Sequence, residues 1–244
     1  MTAPASRRFV TQHTLCELDL THPAVIRAVL DPQDMHRLIM SAYRHWIPES
    51  VPDARAQMNV LHTHVVNLRD QTLTVIIQSA IPGDVTAWPS SVHLTPPQTR
   101  TVDVTVTTGQ RLRFRTVVNP ARQAAARLAG PRPRRSQDAA DARPDRALQW
   151  FTARLRPPTS PDDHRFPYLG AEVDTHSLQA RILPTLIAHA THQGMRVNRA
   201  EIQGQLTVTD PRAFTRTLTQ GLGRSRAYGC GLLLTQPLPS HAPA

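Results

Sequence analysis

A chain of 244 residues has room for one large domain or for two of roughly 100 residues each. At 40% hydrophobic and 19% charged it can bury a core, which excludes wholesale disorder. No run approaches the roughly 18 apolar residues of a membrane-spanning helix, and a net charge of +10 calls for a polyanionic partner, nucleic acid first among them.

All 28 basic residues are arginine. The guanidinium is a planar fork that pairs with phosphate oxygens and stacks on bases, so this composition suits a nucleic-acid surface, although a solvated surface explains the charge too. No apolar signal region follows Met1 to Arg8, so a cytoplasmic location is expected. Cys16 and Cys230 have no CxxC spacing and read as free, buried thiols of a reducing compartment.

Along the first half, Phe9 to Leu18 reads as a strand. Asp31-Pro32 has the form of an N-cap and first helical residue, with Met35, Leu38, Ile39, Ala42, Tyr43 and Trp46 behind it as an apolar stripe. Gln57 to Val66 and Thr72 to Ser79 read as strands around the turn 67–71. A short segment, Gly83 to Trp88, stands where a second helix belongs, and Thr101 to Thr107 alternates Val102, Val104 and Val106. The order is β-α-β-β-α-β.

The second half repeats that order. Arg111 to Val118 is a strand and Asp145 to Leu155 a helix. Leu178 to His189 and Arg196 to Thr209 are strands turning near Gly194, with Pro184 marking an edge or a bulge. Asp210-Pro211 opens a helix that buries Phe214 and Leu218 and ends at Gly221, and Gly231 to Gln236 is the last strand. The expected fold is α+β, two ferredoxin-like (RRM-like) units over 1–108 and 109–244. Residues 130–144, GPRPRRSQDAADARP, form a proline- and arginine-rich loop carrying Arg132, Arg134 and Arg135, either an RNA contact or a solvated insertion.

Three features carry chemistry. In RLRFRTVVNPAR, Arg111, Arg113 and Arg115 alternate with Leu112, Phe114 and Thr116, so strand periodicity sets them on one face, roughly 6.6 Å apart, a step suited to successive phosphates or to a solvated face. The run GLGRSRAYGCGLLL holds Gly221, Gly223, Gly229 and Gly231 beside Arg224 and Arg226; glycines let backbone amides approach a phosphate, although no Walker signature is present. His36 flanks the apolar stripe of its helix, where an isolated histidine is ordinarily structural. His62 and His64 share a strand face, and His189 and His192 lie close in sequence. Neither pair has a carboxylate or thiolate at ligand spacing, and Asp162, Asp163 and His164 read as a solvated turn, so no metal site is expected.

Taken together, EIQGQLTVTDPRAFTRTLTQGLGRSRAYGCGLLL, GQRLRFRTVVNPAR and DPQDMHRLIMSAY resemble three blocks of the CasE family, the ribonuclease subunit of type I-E Cascade. The blocks lie near the end, middle and start of the chain. The resemblance implies tandem ferredoxin-like domains and His36 as the catalytic histidine. It implies binding of a CRISPR repeat stem-loop and metal-independent cleavage at the 3′ base of the stem by the substrate's own 2′-OH. The products would be a 2′,3′-cyclic phosphate and a 5′-hydroxyl, and the protein would remain on the mature crRNA with other Cascade subunits, without cofactor or membrane.

His36 then serves as a neutral base, kept so by the helix N-terminus and by arginines of the glycine loop. Several members of that family carry Tyr where this chain has Gln33. Gln33 binds a phosphate oxygen or orients the ring but cannot act as an acid, which leaves Arg37, Arg226 or water as candidate support and a non-cleaving RNA-binding module as the alternative.

Overall fold

The computed structural model describes residues 4–47, 51–120, 143–157, 167–189 and 194–239. Its first unit is an antiparallel sheet of β1 (Ser6–Asp19), β2 (Leu61–Asn67), β3 (Thr72–Ser79) and β4 (Gln98–Thr107), in the order β2-β3-β1-β4. Helices α1 (Pro23–Leu30), α2 (Pro32–Ser41) and α3 (Ala54–Gln57) connect β1 to β2.

Local chemistry explains where α2 begins. Pro32 presets the first helical φ, and Asp31 Oδ1 accepts the Gln33 backbone N–H at 2.8 Å. Met35, Ile39, Ala42 and Tyr43 are buried as the stripe demands. Trp46 departs from it and is 54% exposed, because α2 ends at Ser41 and the chain beyond no longer follows helical spacing. Its indole N–H instead donates to the Pro82 carbonyl at 3.0 Å.

Two further expectations shift. The segment before β2 is α3 and not strand, so β2 starts at Leu61 and not at Gln57. In place of a second helix stand two short 3-10 turns, Val85–Ala87 and Ser90–Val92, since Pro82, Gly83 and Pro89 deny the segment a continuous i to i−4 ladder.

The second unit contains β5 (Arg111–Val118), α4 (Pro144–Thr152), β6 (Ala171–Val173), β7 (Gln179–Ile187), β8 (Arg196–Val208), α5 (Pro211–Gln220) and β9 (Leu233–Pro237). Its sheet runs β6-β8-β5-β9, and β7 also pairs with β8. β6 takes the Leu206–Val208 end of β8 and β7 the Arg196–Gln203 stretch, so together they fill the edge that β2 occupies in the first unit. Pro184 falls in the register shift between Leu183 and Leu186, as an edge-strand proline should. Both units therefore share one antiparallel order, the tandem ferredoxin-like arrangement.

The two cores meet. Phe9 of β1 and Val106 of β4 pack into the second unit's core, where Phe114 and Phe151 stack at 5.1 Å. The Gln78 side-chain amide, buried in the seam, donates to the Leu218 carbonyl at 2.7 Å. Cys16 and Cys230 are buried, unbridged thiols, each pushed up to about 12 by burial. Among the described residues no helix is long and apolar enough to cross a membrane.

Candidate active site

The glycine-rich loop is what brings the far end of the chain to His36. α5 stops at Gly221, and the loop folds back so that Leu222 N–H donates to the Gly231 carbonyl at 2.8 Å. Gly231 N–H donates to the Val117 carbonyl, and the Asn119 amide, at the end of β5, donates to Ser225 Oγ at 2.8 Å. The Asn-Pro strand end and the glycine loop thus brace each other.

Held this way, the 3-10 turn Arg226–Tyr228 packs on α2 and β2. The Tyr228 ring stands edge-on to the His36 imidazole, centroids 6.2 Å apart. Tyr228 Oη accepts a hydrogen bond from the Gln33 side-chain amide at 3.0 Å. Beneath the loop lie His62 and His64, stacked at 6.2 Å. Gly229 has φ of 78°, and a Cβ there would come within 3.1 Å of His64 Nδ1, so this position needs glycine for backbone and for space.

The His36 imidazole is half-buried, and burial is the first cause that holds it below the ordinary histidine range; Arg55 and then Arg37 add to the effect. The ring is neutral near pH 7. This modifies the expected cause, for His36 is the fifth residue of α2, beyond its first turn, and the larger charge effect comes from Arg55 of α3. Arg55 donates to the Val60 carbonyl at 2.8 Å; burial, then Arg226, lowers it, with Asp53 opposing. Arg226 therefore acts on His36's neighbour, and Arg37 forms an exposed ion pair with Asp34. His62 is driven well below its ordinary value and His64 to about 4, in both cases chiefly by burial.

On the other side of the loop is a cleft of about 310 Å³ walled by Arg154, Arg216, Arg224, Arg226, Trp150 and Gly223. The Arg154 guanidinium lies 3.4 Å over the Trp150 ring, a cation–π stack, and burial lowers it to about 10. Gly223, with φ of 74°, lies so near Trp150 that a Cβ would come within 2.6 Å of the indole. Arg226 donates to the Gln220 carbonyl at 2.7 Å, lines this cleft and also acts on Arg55.

The arginine ladder lies elsewhere. Arg111, Arg113 and Arg115 share the exposed face of β5 while Leu112, Phe114 and Thr116 are buried. Arg113 and Arg115 line a groove of about 420 Å³ with Gln179, Gln203, Gln205 and Gln236. Arg115 is already paired, donating to Glu201 Oε2 from Nε at 2.8 Å, and Arg181 reaches the other oxygen at 3.2 Å. Arg132, Arg134, Arg135, Asp162, Asp163, His164 and His192 lie outside the described residues, among which no group of three or more His, Cys, Asp or Glu is placed to hold a metal.

A family model described as "CRISPR associated protein" matches residues 13–237. The chain belongs to this CRISPR-associated family. Thermus thermophilus Cse3 bound to an RNA representing a pre-cleavage complex superposes with a TM-score of 0.67 at 22% identity, covering 94% of this chain and 100% of that one. Cas6e from Escherichia coli K-12 gives 0.56 at 17% identity, over 93% and 100%. A chain of a CRISPR RNA-guided surveillance complex gives 0.58 at 18%, over 93% and 100%. At these identities the likeness is one of fold. No curated protein matches the chain by sequence.

Within this CRISPR-associated chain, the structure brings His36 and Gln33 against Tyr228 of the turn that also carries Arg226, and joins Gly223, Arg224 and Arg226 in the cleft. Tyr228 and Arg55 are the site residues that sequence reasoning passed over. Tyr228 had a signal, as the one phenol inside the glycine run; Arg55, isolated in a polar segment, had none.

Proposed function

We propose that this protein binds the stem-loop of a CRISPR repeat transcript and cuts it at the 3′ base of the stem, leaving a 2′,3′-cyclic phosphate and a 5′-hydroxyl. His36 takes the proton of the attacking 2′-OH. The observation that carries this is a half-buried imidazole held neutral beside Arg55 and the arginine-bearing loop. A base must be deprotonated at working pH, and a phosphate gaining charge needs fixed cations. Neighbours of the same fold named as an endoribonuclease bound to RNA and as part of an RNA-guided surveillance complex support the substrate class and the partners.

Arg216, Arg224 and Arg226 in the cleft, Arg111 and Arg113 on β5, and Arg132, Arg134 and Arg135 in the loop would hold the A-form stem through its backbone. Gly221, Gly223, Gly229 and Gly231 let the loop pack closely on Leu61, Trp150, His64 and its own backbone, which would hold its arginines in place for the RNA. After cutting, the protein stays on the crRNA with other Cascade subunits in the cytoplasm. The reaction draws its nucleophile from the substrate and its proton acceptor from the chain, so it proceeds without a metal.

Gln33, standing where a tyrosine is common in the family, favours one rival, a binding module that does not cut. Incubation of a repeat hairpin in EDTA separates the two. Cutting is expected, and His36→Ala should abolish it with affinity nearly intact. Tightly bound, uncut RNA would favour the rival; equal loss of cutting and affinity in His36→Ala would make His36 structural.

A further inference from the structure

Cleavage by a 2′-OH needs two proton transfers on opposite sides of phosphorus. As the 2′ oxygen bonds to phosphorus its proton passes to the base, and as the bond to the 5′ oxygen breaks that oxygen must gain a proton. His36 covers the first event only. Of the groups around it, Gln33 has no proton to give as an acid, while guanidinium groups such as Arg37 and Arg226 release theirs only above about pH 12.

Tyr228 meets the requirements geometrically. It is carried on the turn 226–228, which the loop's backbone hydrogen bonds pin to β5. Its ring faces the imidazole edge-on at 6.2 Å, an ordinary edge contact, so the two side chains border the same patch of surface. Gln33 is buried, and its own backbone N–H is fixed on Asp31. With the Gln33 amide donating to Oη at 3.0 Å, one lone pair of the phenol oxygen is occupied and the phenol hydrogen is left to donate. Among the described residues no other hydrogen bond to Tyr228 Oη competes for it.

We propose that Tyr228 is the general acid of this site and that Gln33 is its positioning residue. The inference rests on His36 being the base. The 2′ oxygen gives its proton to the His36 imidazole as it bonds to phosphorus. The phosphorus–5′-oxygen bond breaks, its electron pair staying on oxygen, which takes the phenol proton. Imidazolium and phenolate then return to neutrality by exchange with water.

The test is single-turnover cleavage of a repeat hairpin, alongside the same hairpin with sulfur replacing the bridging 5′ oxygen at the scissile phosphate. A thiolate leaves without protonation, so an acid becomes dispensable and a base does not. Tyr228→Phe is expected to slow cutting of the oxygen substrate by about 10²-fold or more, and to cut the sulfur substrate within a few-fold of wild type. Gln33→Ala should show a smaller loss with the same rescue, and His36→Ala should be slow on both substrates. Hairpin affinity of Tyr228→Phe should match wild type.

Equal slowing of both substrates by Tyr228→Phe, no slowing of either, or a loss of affinity as large as the loss of rate would each overturn the assignment. Rescue of His36→Ala by sulfur would make His36 the acid and likewise overturn it. If wild-type protein cuts neither substrate, the proposed function falls and this inference with it; if wild type cuts and only Tyr228→Phe behaves like wild type, the function stands without Tyr228.

Discussion

Asp31 accepts the backbone N–H of His189 through Oδ2 at 2.9 Å, while its Oδ1 caps α2 at Gln33. One buried carboxylate thus starts the helix that carries His36 and ties it to the chain just beyond β7 in the second unit. Asp31→Ala removes the cap and strands an amide, each worth about 1 kcal/mol. A stability loss of about 2 kcal/mol is expected in urea unfolding. Cleavage should fall more than hairpin affinity, because α2 is what loosens.

If His36 is the base, Arg55 should help burial to place the acid side of activity. Its positive charge disfavours imidazolium, so Arg55→Gln should raise the His36 value toward the ordinary histidine range. The rate falls as the base becomes protonated, so the acid limb of the rate profile should move to higher pH, with activity at pH 6 dropping relative to pH 8. Rates measured across pH 5 to 9 check this, and an unmoved limb would detach Arg55 from His36.

Acid should destabilise the fold through the stacked pair of buried His62 and half-buried His64. The unfolded chain binds a proton at His64 near pH 6.5, the folded chain only near pH 4, so stability is lost as pH falls through that window. The loss from His64 is on the order of 3 kcal/mol, and His62 adds in the same direction. Above pH 7 neither contributes a slope. Denaturant titrations at pH 7.5 and 4.5 should show the difference, and His64→Gln should shrink it.

The ladder arginines should not behave alike. Arg113 has no ion-pair partner among the described residues, so Arg113→Ala should lower hairpin affinity and reduce the salt slope by about one. Arg115 is partly neutralised by Glu201. Arg115→Ala should cost less affinity but about 1 kcal/mol of stability, since Glu201 is left with Arg181 alone. Affinity at several salt concentrations, beside urea unfolding, separates the two effects.

What sequence determined by itself was local. The Asp-Pro pairs at 31–32 and 210–211 set helix starts because a cap acts within three residues, and the alternation of Arg111 to Thr116 assigned β5 and its two faces because strand period is two. Pro184 announced an edge, since a proline cannot donate to a second neighbour. His36 was singled out by resemblance to a family helix, not by its spacing. Tertiary structure alone decided the rest. Tyr228 and Gln33 are 195 positions apart, and only the docking of the glycine loop on α2 and β2 puts phenol against amide. Arg55 acts on His36 across 19 positions of chain only because the fold brings its charge within range, and Arg115 is paired because β8 registers Glu201 within reach of it. Hydrogen bonds and charges act over a few ångströms of space, and sequence periodicity reports only on the few residues that are neighbours along one element.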